Sequence, residues 1–252
     1  MSVLTSEAVL LRTWPLHEAD LIVSLFTRDY GKLRAVAKSA LKSRRRFGGA
    51  LEPMTLARAR FVERPRQELA RLDELEIIRS PLSAPVDQPR LAVLSFFAEV
   101  IEEALPEHDP QETVFRLAAS LLEHTAAVRS ETTQPWMALT YFSLWMTRLM
   151  GLLPDIAHCT ACGEALRPGE VFFNHHADGL FCAIHRHASA VALSPDSWQL
   201  ALRMLRAPAS AFTTEPWQRR RAQDLRRYSV QILERHLERK LRSAEALARL
   251  GA

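Results

Sequence analysis

Hydrophobic and polar positions alternate through the first eighty residues. Lys32–Lys38 is the clearest case: Leu33, Ala35 and Ala37 fall on one face, and Lys32, Arg34, Val36 and Lys38 on the other. Met54–Val62 repeats the pattern, with Ala57, Ala59 and Phe61 opposite Arg58 and Arg60. Ser6–Trp14 and Ala19–Thr27 are rich in Val, Ile and Leu, and Arg28-Asp29-Tyr30-Gly31 supplies the turn that follows. Leu69–Ile78 reads as a fifth strand, although the Leu72/Leu75 spacing also suits a helix. Five short strands with turn signals and one longer basic loop predict a small closed barrel.

Beyond Pro81, Pro85 and Pro89 the period becomes helical. Leu91–Leu105 carries apolar residues at 93, 94, 97, 100, 101, 104 and 105, and Asp109-Pro110-Gln111-Glu112 reads as a capped helix start. Pro135–Leu153 is apolar almost all round, which marks a buried central helix. Ser194-Pro195 caps another helix. Thr214-Glu215-Pro216 begins a long last one, whose inward stripe is Leu225, Tyr228, Ile232, Leu233, Leu237 and Leu241. The domains expected are a barrel at 1–80 and a helical domain at 81–154 and 191–252, interrupted by a loop at 155–190.

That loop holds every cysteine of the chain, in the arrangement Cys159-x2-Cys162…Cys182-x2-His185. Each pair sets two soft ligands within reach of one ion, and four N/S donors complete a tetrahedral zinc shell. His158, His175, His176 and His187 are near enough in sequence to replace His185. A closed shell leaves no position for water or substrate, so it predicts one structural Zn2+ rather than a catalytic one. A redox pair would want a strand-to-helix setting, and three cysteines without a secretion signal do not make a disulfide framework.

At 252 residues, 48% hydrophobic and 25% charged, the composition is that of a globular protein with more than one module. No apolar run reaches membrane-spanning length and no signal peptide is evident, so the expected location is the cytoplasm. The net charge of +4 conceals segregation. Residues 28–71 hold thirteen Lys/Arg against four Asp/Glu, residues 72–115 two against ten, and residues 216–252 ten against four. One polyanion-binding face and a separate acidic surface are expected.

The strongest candidate contact surface runs from Lys38 through Lys42, Arg44, Arg45 and Arg46 to Phe47-Gly48-Gly49, a mobile basic arm able to follow phosphates. Lys32, Arg34, Arg58 and Arg60 extend it onto a strand face where acids are scarce. Arg219, Arg220 and Arg221 either continue the path or solubilise a helix start. Tyr30 and Phe47 are stacking residues or packing residues; Phe61 is core. No phosphate-binding glycine loop is present, and the carboxylate pairs and isolated histidines suggest no active site, so no enzyme is expected. A sequence-reading regulatory protein is the alternative, but no recognition helix of helix-turn-helix type is evident. A zinc hydrolase would need an open coordination position.

The order of Ala8-Val9-Leu10, Glu18-Ala19-Asp20, Leu25-Phe26-Thr27, Gly31, Val36-Ala37-Lys38 and Leu51-Glu52-Pro53 resembles the RecO family of bacterial recombination mediators, DNA repair proteins. So does Leu149-Met150-Gly151-Leu152-Leu153-Pro154 leading into Cys159 and Cys162, then Gly179-Leu180-Phe181-Cys182. The resemblance implies an α+β chain: an N-terminal OB-fold barrel, then an all-α domain with an inserted zinc-binding loop. It also implies binding of single- and double-stranded DNA, annealing of complementary strands, and partnership with RecR. In that family these activities help load RecA onto DNA covered by single-strand binding protein. The chain departs from the family's usual pattern at Ser39 (commonly Gly), Ser143 (commonly Glu) and His185 (commonly Cys).

Overall fold

The structure, a computed structural model, describes residues 2–63, 67–83, 87–126 and 135–250. Five strands lead: β1 (Val3–Pro15), β2 (Leu21–Thr27), β3 (Gly31–Ala37), β4 (Leu56–Val62) and β5 (Ala70–Arg79). They close into a barrel in the order β1-β2-β3-β5-β4, antiparallel throughout except for the β3–β5 pair. Alternation sets the interior: Leu10, Val23, Leu25, Leu33, Ala35, Ala57, Ala59 and Phe61 share one buried cluster.

Two irregularities in pairing explain what simple alternation does not. Between Arg60 and Phe61 the register slips, so Arg60 faces Glu74 while Phe61 faces Leu72. The additional residue, Asp73, puts Leu72 and Leu75 on the same inner side, which is why their spacing mimics a helix. A second slip lies between Leu10 and Arg12 on β1, where Leu10 faces Leu25 and Arg12 faces Ser24. Leu10 points inward, and after the slip Arg12 and Trp14 pair with Ser24 and Ile22 on the outer face.

The basic loop after β3 is not a free arm. Phe47 is fully buried in the barrel cluster, with Ala40 and Ala50 beside it. Leu75 N–H donates to the Arg46 carbonyl at 2.9 Å, and Ser39 N–H to the Asp20 carboxylate at 2.7 Å. Ser39 adopts φ +52°, the left-handed conformation that glycine takes most easily. Phe47 is therefore a packing residue. Tyr30 is also packed, edge-on to Phe61 at 5.5 Å between ring centroids.

Helices α1 (Gln88–Ala104) and α2 (Glu112–Ala126) belong to the same compact unit as the barrel, Met1–Val128. Asp87 caps α1 by accepting the Arg90 N–H at 2.7 Å. The expected Asp109 cap does not form: α2 starts at Glu112, and the Asp109 carboxylate accepts from the Gln111 side chain instead. The reason is that the Asp109 backbone lies against Gly31. His108 N–H donates to the Lys32 carbonyl at 2.8 Å, and a Cβ on Gly31 would stand 2.5 Å from Asp109 backbone atoms.

The second unit, Arg129–Ala252, is built around α3 (Pro135–Leu149), buried from Trp136 through Leu144 as its sequence predicts. The short strands β6 (Val171–Phe173) and β7 (Val191–Leu193) pair, and α4 (Pro195–Met204) starts from its Ser194 cap. The expected long last helix is two, α5 (Gln223–His236) and α6 (Arg242–Arg249). Ala222 and Glu238 take φ +55° and +53°, which starts α5 late and ends it early. Among the described residues no helix is long and apolar enough to cross a membrane.

Replacing Gly31 by Ala combines a positive φ of +70° with a clash against backbone that cannot swing aside. We expect Gly31→Ala to cost about 2–3 kcal/mol, read as an earlier urea transition of the barrel unit. An unchanged transition would show that the Asp109 segment yields freely.

Candidate nucleic-acid interface and metal centre

Cys159 and Cys162 sit on a tight turn closed by Gly163 N–H donating to the Cys159 carbonyl at 2.8 Å. Gly163 there has φ +74°. A matching turn has His185 N–H on the Cys182 carbonyl at 3.2 Å. The two are docked by Thr160 N–H to the Leu180 carbonyl at 2.9 Å and by Cys182 N–H to the Cys159 sulfur at 3.4 Å. Gly179 permits this approach: a Cβ there would lie 1.9 Å from the Thr160 hydroxyl.

The donor atoms of Cys159, Cys162, Cys182 and His185 all lie within 4.8 Å of one another, with Cys182 Sγ and His185 Nδ1 3.3 Å apart. Donors around a tetrahedral zinc ion at ordinary bond lengths stand about 3.8 Å apart, so the cluster is able to hold one ion. Its electrostatics agree. Burial opposes ionisation of the Cys159 thiol, but the N–H groups of Cys182, Cys162 and Ala161 together outweigh it and lower its pKa. The His185 N–H leads in lowering that of Cys182. At Cys162 the Glu164 N–H favours the thiolate, yet burial and the other two sulfurs prevail and raise the pKa. Three sulfurs this close repel as thiolates unless a cation sits among them.

The other histidines have different partners. His158 contacts Asp155 at 2.7 Å, His187 contacts Ser189 at 2.9 Å, and His175 faces Arg227 at 3.5 Å. The His176 ring is 6.5 Å from that of His187. Among the described residues, His185 is the imidazole that completes the cluster.

The cations divide into two groups. Lys32 is buried, and its ammonium donates to the Glu102 backbone carbonyl, so it presents no surface to phosphates. On the strand face acids are not scarce. Arg58 pairs with Glu76 at 3.2 Å, Arg60 with Glu74 at 3.3 Å, and Arg34 with Glu107 at 3.3 Å and Glu102 at 3.7 Å. Arg28 reaches Glu112 at 3.9 Å. The basic block at 28–71 and the acidic block at 72–115 thus largely face each other, rather than forming separate surfaces. Arg46 is occupied locally, donating to the Ser43 hydroxyl and the Lys38 carbonyl and lying over the Phe47 ring. Lys38, Lys42, Arg44 and Arg45 remain exposed, with no carboxylate partner among the described residues.

Arg219, Arg220 and Arg221 lie in the turn before α5, not in a helix. Arg219 donates to the Leu250 carbonyl at 2.7 Å. Arg221 pairs with Glu215 and stacks over Trp217 at 4.5 Å, which leaves Arg220 as the exposed one without such a partner. The basic character of this stretch is partly internal. Arg226 is buried, and its guanidinium donates to the carbonyls of Arg219 and Arg221 and to the Thr140 hydroxyl. Desolvation lowers its pKa to about 10 against the opposing charge of Asp224.

The metal cluster makes one expectation directly measurable. Purified protein should carry about one zinc per chain by elemental analysis, and Cys159→Ser should abolish it and lower the melting temperature. Full melting temperature in metal-free protein would remove any structural role for the cluster.

Comparison with known proteins covers both halves of the chain. The model described as Recombination protein O N terminal matches residues 1–81, and Recombination protein O C terminal matches residues 86–245. The DNA repair protein RecO of Koribacter versatilis (strain Ellin345) is 50% identical over 245 residues, covering 97% of this chain and 98% of that protein. The DNA repair protein RecO of Anaeromyxobacter sp. (strain K) is 32% identical over 245 residues, covering 96% and 95%. That of Pelotomaculum thermopropionicum is 28% identical over 253 residues, covering 100% and 96%. Matched in order by both models, and half-identical to one relative almost from end to end, the chain belongs to the RecO family.

Proposed function

We propose that the protein is a cytoplasmic, non-enzymatic mediator of recombinational DNA repair. It binds single- and double-stranded DNA and anneals complementary strands. With RecR it helps load RecA onto single strands covered by single-strand binding protein. Family membership supports the repair role, and the strand order β1-β2-β3-β5-β4 supports reading the barrel as an OB-fold, a frequent carrier of single strands.

The observation that carries the reading is the group of exposed, uncompensated cations at Lys38, Lys42, Arg44 and Arg45. They ride on a loop held in place by Phe47. A fixed cluster of positive charge screens the mutual repulsion of two phosphate backbones and gains affinity from counterion release. Arg220 and Arg227, both exposed, are the second unit's candidates for a further strand contact. The zinc ion at Cys159, Cys162, Cys182 and His185 acts as a structural clamp on residues 155–190, a segment of short strands and turns. Glu102, Glu107 and Glu112 serve the barrel rather than a partner, since each faces Arg34 or Arg28.

Replacing Lys42, Arg44 and Arg45 together by Ala should slow annealing sharply. The slope of log K against log salt on single strands should fall by about 2, at about 0.7 per lost contact. Arg46→Ala should act on loop stability more than on that slope. Unchanged annealing by the triple variant would take the loop out of the mechanism.

A further inference from the structure

The register slip at Leu10–Arg12 builds a surface on the outer face of β1, β2 and β3. One row across the strands is Trp14, Ile22, Val36 and, on β5, Arg71. The row beside it is Arg12, Ser24 and Arg34. Among the described residues the helices reach this face at Ser24 and Phe26: Glu102 accepts the Ser24 hydroxyl at 2.5 Å, and Phe115 meets Phe26 at 5.7 Å. Trp14, Ile22 and Val36 stay half-buried, an apolar strip about 10 Å long at ordinary strand spacing.

Cations border the strip. The guanidinium carbons of Arg12 and Arg34 lie 5.2 and 5.6 Å from the Trp14 ring centroid, so the indole sits within a cation–π arrangement. Arg34 also serves Glu102 and Glu107, and Arg71 serves Asp73 at 2.9 Å. Arg12 is exposed and has no carboxylate partner among the described residues. Past Val36 on the same strand face, Lys38 opens the uncompensated group of the loop. An aromatic platform with free cations on both sides matches an unpaired strand, whose bases offer open π faces between phosphates; a duplex hides those faces.

We infer that Trp14 is a base-stacking residue, and that single-stranded nucleic acid crosses the outer face of β1–β3 over the strip Trp14–Ile22–Val36 before reaching the basic loop. This rests on the DNA-binding reading above, and adds to it a site that distinguishes unpaired from paired strands. Arg12 acts there as a phosphate contact, and Arg34 holds the indole.

The test compares the full-length protein with Trp14→Ala and Trp14→Phe on three probes: oligo-dT, an abasic oligonucleotide of equal length, and a duplex. Trp14→Ala should bind oligo-dT about tenfold more weakly. The abasic strand and the duplex should bind as before, and Trp14→Phe should restore oligo-dT binding. In the unaltered protein, irradiating a bound oligonucleotide that carries 5-iodouracil should give a cross-link at Trp14. The inference is overturned if a folded Trp14→Ala binds oligo-dT normally, or loses all three probes equally. Should that variant not fold, the cross-link decides: attachment at Trp14 supports the site, and attachment elsewhere refutes it. Wild-type protein that ignores all three probes sinks the DNA-binding reading itself. Failure confined to the Trp14 comparison leaves that reading standing.

Discussion

A buried carboxylate holds the first unit together. Glu102, on α1, accepts the Ser24 hydroxyl from β2 while its own backbone carbonyl takes the Lys32 ammonium from β3. Hydrogen bonds of this kind add little net stability, yet a buried charged group stripped of its partner costs about 1–3 kcal/mol or more. The arrangement therefore acts chiefly as a register pin. It fixes which end of the outer barrel face α1 covers.

The same economy governs the wider charge pattern. Two blocks of opposite sign, adjacent in sequence, meet across strands in Arg58–Glu76 and Arg60–Glu74, and between the α1–α2 connection and the barrel in Arg34–Glu107. Pairs this exposed contribute little energy each, but they neutralise the field of the strand face. What is left over is concentrated in the loop after β3. A run of cations is informative about binding only after the acids that reach it have been subtracted.

Much of this was legible beforehand. Strict alternation located the strands, because a sheet with one buried face demands a period of two. Ligand spacing located the metal cluster, because the short turns leave little freedom over where the sulfurs go. The unreadable parts were those set by tertiary contact. Nothing local says that Phe47, beside three arginines, is swallowed by the barrel, or that Lys32 differs from its neighbour Arg34 in facing a helix carbonyl. The break of the last helix at Glu238 lies in a segment whose composition favours helix, and it is imposed by a left-handed residue without glycine. Trp14 was missed because one additional residue in β1 reverses the faces counted from its start.

The contact between Gly179 and Thr160 carries a consequence for descent. Each residue belongs to a different half of the metal turn, yet a side chain at 179 would occupy the space of the hydroxyl at 160. The constraint is one-sided: trimming Thr160 would remove the clash, but φ +101° at Gly179 would still strain any side chain placed there, so in a lineage the freedom to vary lies at 160 and not at 179.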